Sequence, residues 1–238
     1  MSEGVVVGMR SWIRDIADFF FPRTCLVCGN VLMHNEEHLC LHCLPDMPRT
    51  DFCYHPDNAM AQLFYGKLRV ERAAGYFYFS KGSDYRLLIH RIKYNGEKEC
   101  GRYLGQLFVR ENSDSRFFDG IDCVVPVPLH PRKKRMRGYN QSEWIARGIA
   151  EELNIPLVDD ALISRTHRVS QTRKGIYDRY LSTRQAFDLL PDNRLVGRHV
   201  LLVDDVVTTG ATLLACGEAL AKGGVTSISM ATLAVAKI

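Results

Sequence analysis

The stretch Val200–Leu213, VLLVDDVVTTGATL, decides how this chain is read. Four apolar residues run directly into two adjacent aspartates, Asp204 and Asp205, and the chain then releases through Thr208-Thr209-Gly210-Ala211-Thr212. The run HVLLV (199–203) is continuous rather than alternating, as in a parallel strand covered on both faces. Ligands of such sheets bind beyond the carboxyl ends of the strands, where the two aspartates are expected. An acidic pair is costly to bury, so something outside the chain should make the arrangement worthwhile. The Thr/Gly turn, with a helix predicted to follow it, offers successive backbone N–H groups, hydroxyls and a positive dipole end, which together suit a phosphate. A carboxylate next to that turn would repel a phosphate but accept hydrogen bonds from sugar hydroxyls. A ribose 5-phosphate has both groups: the loop takes the phosphate, and Asp204 and Asp205 take the 2′ and 3′ hydroxyls. A nucleotide-binding strand of the Walker B kind needs a partner GxxxxGK[ST], and no lysine of this chain is followed by Ser or Thr. A Rossmann glycine fingerprint is absent too. The bland alternative, a solvated acidic turn, leaves the TTGAT run unexplained.

Working outward, strand and helix patterns alternate. AAGYFYF (73–79), IDCVVPVP (121–128), ALISRT (161–166), HVLLV (199–203) and VTSISMATLAV (225–235) read as strands. Residues 83–96, with Ser83 as cap, 97–112, 141–154 with Asn140 as cap, and 211–224 read as helices. The alternation predicts an α/β fold with a mainly parallel sheet flanked by helices. The 238 residues suffice for one such domain and a small appendage, and no apolar run approaches the ~20 residues of a membrane span. At the N-terminus Glu3, Arg10, Arg14, Asp15 and Asp18 interrupt any apolar signal-peptide core, while Trp12, Ile13, Ile16, Phe19 and Phe20 fall near helical spacing. A cytoplasmic protein is expected.

The cysteines supply a second signal. Cys25-Leu-Val-Cys28 and Cys40-Leu-His-Cys43 are two CxxC pairs a short hairpin apart, the spacing of a tetrahedral zinc ribbon or knuckle. Four thiolates fill the coordination shell, so the expected Zn²⁺ is structural. Its role is to stabilise a core-poor segment within residues 1–58, ahead of the domain expected at 59–238. Cys100, Cys123 and Cys216 lie in apolar contexts and read as core.

Charge is distributed unevenly. Residues 128–180 carry 11 Lys/Arg against 6 Asp/Glu, whereas residues 1–127 carry 15 against 16 and residues 181–238 carry 5 against 5. An anion is therefore expected at the middle segment. Its densest part, PRKKRMRGYN (131–140), follows a predicted strand and reads as a basic loop at the same carboxyl edge. Arg137 and Gly138, with Arg135, are the preferred contacts for a pyrophosphate. A solvated loop and a contact with nucleic-acid phosphates are the other readings, and Tyr139 is the one aromatic residue interleaved with the cations.

Together, CLVC…CLHC, IKYNGE, VVPVPLHPRKKRMRGYNQSE, RTHRVSQTR and VLLVDDVVTTGATL resemble, in order and over nearly the whole chain, the ComF (GntX-like) family, type I phosphoribosyltransferase-like proteins associated with DNA uptake and competence. The resemblance implies the type I phosphoribosyltransferase fold with an N-terminal zinc-ribbon segment. It implies 5-phosphoribosyl 1-pyrophosphate with Mg²⁺ as ligand, and Asp204 and Asp205 as the catalytic pair. It also implies a mobile loop with Arg165, Gln171 and Arg173 as candidate contacts. Two functions follow from it. One is a phosphoribosyltransferase acting in DNA uptake or utilisation. The other is a non-catalytic sensor or scaffold that binds single-stranded DNA or a DNA-uptake helicase. The acceptor, the oligomeric state and the partner are left open by the sequence.

Overall fold

A computed structural model describes residues 22–80, 82–164, 186–191 and 193–236, and the chain divides into two compact units at Met47/Pro48. The predicted N-terminal helix falls outside the described residues.

The first unit is built of turns. An antiparallel bridge pairs Thr24 with Val31, Gly29 N–H donates to Cys25 O at 2.9 Å, and Leu44 N–H donates to Cys40 O at 2.9 Å. Its buried apolar residues are few: Cys25, Leu26, Leu32, Leu39, Cys40 and Met47. The Glu36 carboxylate, also buried, accepts from Met33 N and Leu41 N at 2.6 Å each and so ties the segment between the cysteine pairs to the second cysteine turn.

The second unit is α/β. In chain order it has α1 (Ala59–Gln62), β1 (Arg72–Phe79), α2 (Arg86–Tyr94), α3 (Lys98–Glu111), β2 (Cys123–Pro126), α4 (Pro131–Arg137) and α5 (Gln141–Leu153). There follow β3 (Leu162–Ser164), β4 (Phe187–Leu189), β5 (His199–Val207), α6 (Ala211–Lys222) and β6 (Ser227–Ala236). The main sheet has the order β1-β6-β5-β2, and all three of its pairings are parallel. A further parallel bridge, Val124 to Leu157, extends it beyond β2. The parallel sheet is thus as expected. The residues Val200–Val203 are fully buried, the consequence of helical cover on a central strand.

The helices stack in layers, with α5 against β2 and β5 and α3 against α5. Two glycines permit the close α3–α5 crossing. A Cβ on Gly148 would stand 2.0 Å from Arg102 O, and one on Gly105 2.4 Å from Ile145 O.

Several elements depart from expectation. Ser83 does not cap α2: Tyr85 is the N-cap without a side-chain bond, because overlapping turns from Ser83 to Leu88 lead into the helix. Residues 131–137, expected as a loop, form α4. Pro131 stands at its first position, His130 Nδ1 accepts from Arg132 N at 3.2 Å, and Gly138 ends it in the left-handed region. Strand β3 pairs antiparallel with β4, whose three residues carry too short a pattern to be read.

Candidate functional site

Strand β5 does not stop at Val203, as its apolar run suggests, but continues to Val207. Its neighbour β2 ends opposite Val203, while β6 keeps pairing with it as far as Val207↔Val235. Asp204 is therefore the first residue of β5 with no β2 partner, and the pair lies at a step in the carboxyl edge of the sheet.

The two aspartates meet different partners. Asp204 Oδ1 accepts from Ser142 Oγ at 2.9 Å and from the Asp205 amide at 2.9 Å. Asp205 is only 4% exposed, and the Lys93 ammonium stands 3.1 Å from its Oδ2. Desolvation first, and the charge of Asp205 second, push the Asp204 carboxyl up to about 7 against these hydrogen bonds and the more distant pull of Lys93. The chain thus holds an acidic pair of which one member is charge-balanced and the other gives up its proton reluctantly. Neither Ser142 nor Lys93 stands out in the sequence as a site residue. Their only signal is that each sits inside a quoted motif, Lys93 in IKYNGE and Ser142 in RGYNQSE.

Beyond the pair, Thr208 and Thr209 are exposed, Gly210 is buried, and Ala211 and Thr212 are half-buried. Gly210 is the N-cap of α6 at φ 73°, a conformation that glycine adopts without a Cβ penalty, and no side chain caps the helix. A side chain at Gly210 would also lie 3.1 Å from Phe64 Cε1 and 3.3 Å from Leu63 Cβ. The first amides of α6 have no intrahelical acceptor and so can serve an anion.

The basic segment is placed by the residues after it. Tyr139 donates its hydroxyl to Ile92 O, Asn140 Nδ2 donates to Val127 O at 3.0 Å, and Asn140 Oδ1 caps α5 at Ser142 N. Arg137 donates to Gln141 Oε1 and lies 5.2 Å over the Tyr94 ring. Helix α4 has no buried residue, and Arg135 is exposed on it. Gly138, its C-cap, is exposed beside Arg137. Arg165, Gln171 and Arg173 lie outside the described residues.

Residues 140–237 match the family model "Phosphoribosyl transferase domain". The chain is similar to "Competence protein F" of Haemophilus influenzae, 28% identical over 228 residues, which are 90% of this chain and 98% of that one. It is similar as well to "DNA utilization protein YhgH" of Salmonella typhi, 30% identical over 156 residues, 62% of this chain and 67% of the relative. This chain belongs to the ComF family. Its fold is the phosphoribosyltransferase type, with a parallel sheet flanked by helices. Among solved structures, that of "the allosteric regulatory enzyme of purine biosynthesis" aligns with 57% of this chain and 26% of its own length, at 22% identity and a TM-score of 0.41. The family model opens at Asn140, so within this ComF chain the phosphoribosyltransferase signature takes in Ser142, Asp204, Asp205 and the 208–212 loop and leaves α4 and Lys93 outside.

The ComF chain's cysteine pairs converge. One ligand atom from each of Cys25, Cys28, Cys40 and Cys43 lies within 4.8 Å of the others, and the Cys28 and Cys40 sulfurs are 3.7 Å apart. A tetrahedron with Zn–S of about 2.3 Å has edges of about 3.8 Å, so the four residues fit a zinc ion. The Cys40 amide points at Cys25 Sγ and the Cys43 amide at Cys40 Sγ, each at 3.4 Å, as suits thiolate ligands. Burial opposes ionisation of Cys25, but amide donors at Cys28, Cys40 and Val27 outweigh it and draw the thiol down to about 7. Burial and then the neighbouring thiols push Cys43 up. Cys100, Cys123 and Cys216 are buried, as expected, and burial pushes the thiols of Cys123 and Cys216 up. Among the described residues no helix is long and apolar enough to cross a membrane.

Proposed function

We propose that this chain binds 5-phosphoribosyl 1-pyrophosphate with Mg²⁺ and acts as a phosphoribosyltransferase-like protein in DNA uptake or utilisation, with a structural zinc in its first unit. The observation that carries the reading is the acidic pair Asp204–Asp205 immediately ahead of the uncapped N-terminus of α6. The amides and hydroxyls of 208–212 receive the 5-phosphate. Asp204 and Asp205 accept from the 2′ and 3′ hydroxyls and favour the positive charge that develops on the ribose. Arg137, Gly138 and Arg135 are assigned to the pyrophosphate, which Mg²⁺ helps to neutralise when it is bound. No protein nucleophile is needed: position and electrostatics carry the transfer. Arg165, Gln171 and Arg173 are the candidate closing contacts. The relatives' names, competence and DNA utilisation, support the cellular setting.

The test is a melting experiment. At a ligand concentration of about 100 Kd, linkage adds about 2.7 kcal/mol. Mg²⁺ with phosphoribosyl pyrophosphate should therefore raise the melting temperature by several degrees, and Asp204→Asn with Asp205→Asn should remove the rise. A wild-type chain that shows no rise refutes the reading. Pyrophosphate release across a panel of bases then decides on catalysis.

A second reading, a non-catalytic sensor or scaffold that binds single-stranded DNA or a helicase, is favoured by α4. That helix buries none of its seven residues, and exposed Tyr94, with the Arg137 guanidinium 5.2 Å over its ring and His90 tilted against it, sets an aromatic face beside its cations. Binding of an oligonucleotide that weakens steeply with salt and with Arg132→Ala/Lys133→Ala would support it.

A further inference from the structure

Three consecutive residues at the C-terminal end of α2 each reach a different part of the site. The Ile92 carbonyl receives the Tyr139 hydroxyl, Lys93 pairs with Asp205 at 3.1 Å, and the Tyr94 ring receives the Arg137 guanidinium at 5.2 Å. The flanking contacts come from the loop after α4 and from α4 itself, and the central one comes from β5. The last turn of α2 is therefore held on two sides while its middle residue faces the acidic pair.

Asp205 is 4% exposed, and leaving a buried carboxylate without a counter-charge is strongly destabilising. Apart from the Lys93 ion pair, its Oδ2 has no hydrogen-bond partner. The Lys93 side chain is 25% exposed, against 6% for that of Asp205. A pair kept for stability alone would be replaced at little loss by apolar residues. Here it stands directly behind the strand position from which the ribose is gripped.

We propose that Lys93 is a positioning residue for the phosphoribosyl site, supplying the counter-charge of Asp205 and fixing the direction of that carboxylate from the anchored last turn of α2. The proposal rests on the ribose-gripping role given to the pair above. It assigns Lys93 no contact with the reacting atoms: it acts through Asp205. Arginine in its place keeps the charge with altered geometry, whereas methionine keeps the stem and removes the charge.

The experiment measures the affinity of the full chain for Mg²⁺ with phosphoribosyl pyrophosphate by calorimetry, and ligand-free melting temperatures, for wild type, Lys93→Met, Lys93→Arg, Asp205→Asn and the Lys93→Met/Asp205→Asn double variant. Lys93→Met should weaken binding by about tenfold or more, the loss expected when a charge-assisted acceptor is disordered. Lys93→Arg should stay within about threefold of wild type. In melting, the double variant should be more stable than Lys93→Met, because neutralising Asp205 removes the stranded charge. No binding by wild type would sink the phosphoribosyl reading and this proposal with it. Wild-type binding with Lys93→Met unchanged, with Lys93→Arg as weak as Lys93→Met, or with additive melting effects would overturn this proposal alone.

Discussion

Asp204→Asn should make the protein more stable while it removes ligand binding, and the gain should grow with pH. The Asp204 carboxyl ionises at an ordinary 3.8 when the chain is unfolded, but in the fold desolvation and the charge of Asp205 push it up to about 7. Between those values the folded state holds a proton that the unfolded state has lost. Wild-type stability therefore falls as pH rises from about 4 to about 7 and is flat, for this group, above that. At about 1.4 kcal/mol per tenfold, the full cost is on the order of 4 kcal/mol, an upper bound because a half-buried carboxylate relaxes with water. About half of it is already present near pH 5.5. Asparagine has no proton to lose, and its Oδ1 still accepts from Ser142 and from the Asp205 amide, the two bonds that the carboxylate makes at 2.9 Å. The melting-temperature gap between variant and wild type should therefore widen by about 2 kcal/mol, or roughly 4–8 °C for a chain of this size, between about pH 5.5 and 8.5. Calorimetric melts of both proteins across that range measure it. Parallel curves, or a variant less stable than wild type at pH 8.5, would refute the reasoning. On the proposed function, Asp204 is a binding residue that costs the fold stability.

Other perturbations bear on the scaffold. Gly148→Ala gains about 1 kcal/mol of helix propensity, but its Cβ would meet Arg102 O at 2.0 Å, a backbone atom that cannot rotate aside. A net loss of about 2 kcal/mol is expected as α3 and α5 separate, so a melting temperature at or above wild type would contradict the packing. Glu111 takes the Arg49 guanidinium at 2.5 and 2.6 Å and the buried Tyr76 hydroxyl at 2.6 Å. Glu111→Ala should cost about 2–4 kcal/mol in denaturant titration. Burial opposes ionisation of Glu111, but Arg49 and Tyr76 outweigh it and hold the carboxyl below 4.5, so this contribution should persist at neutral pH and fade only as pH falls below that value. For the cysteine cluster, one zinc per chain should be found by elemental analysis. A chelator should raise amide exchange across residues 22–47, and Cys40→Ser should abolish metal retention; unchanged exchange after metal removal would refute a structural ion.

What the sequence made legible was local. Asp204, Asp205 and the 208–212 loop are contiguous, so a strand pattern and a turn pattern suffice to place them together. The two CxxC pairs are legible for the same reason, since each turn brings its own sulfurs together. Asn140 caps α5 where a side-chain acceptor before an apolar repeat says it should. Helix α4 was hidden because seven residues with no apolar stripe look like a solvated loop, although Pro131 at its start and Gly138 at its end were available as signals. The partners of the aspartates were not legible as partners, although each sits within a motif. Lys93 and Ser142 reach β5 from α2 and α5, elements far from it in the chain, so only the tertiary packing brings them together. The extension of β5 to Val207 was set by its neighbour β6, which goes on pairing where β2 stops.

The distribution of buried polar groups says why that edge is different from the rest of the fold. Among the described residues, buried Asn and Ser side chains away from it find partners close by in the chain or in an adjoining strand. Asn58 donates to three carbonyls and caps its own helix, Asn112 donates to Phe108 O, and Ser229 meets His199 Nε2 at 2.9 Å on the neighbouring strand. At the carboxyl edge the pattern changes. Ser142 and Asp205 are buried beside Asp204, Ser142 donating to it from α5 and Asp205 paired with Lys93 of α2, so these contacts join three separate elements. A core built only for stability would put apolar residues at these positions, because half-satisfied polar networks cost more than they return. Here the network ends in one carboxylate, Asp204, that is still partly open and whose charge the fold disfavours. On the proposed function, the hydroxyls of a phosphoribosyl ligand would complete that end, with its phosphate on α6.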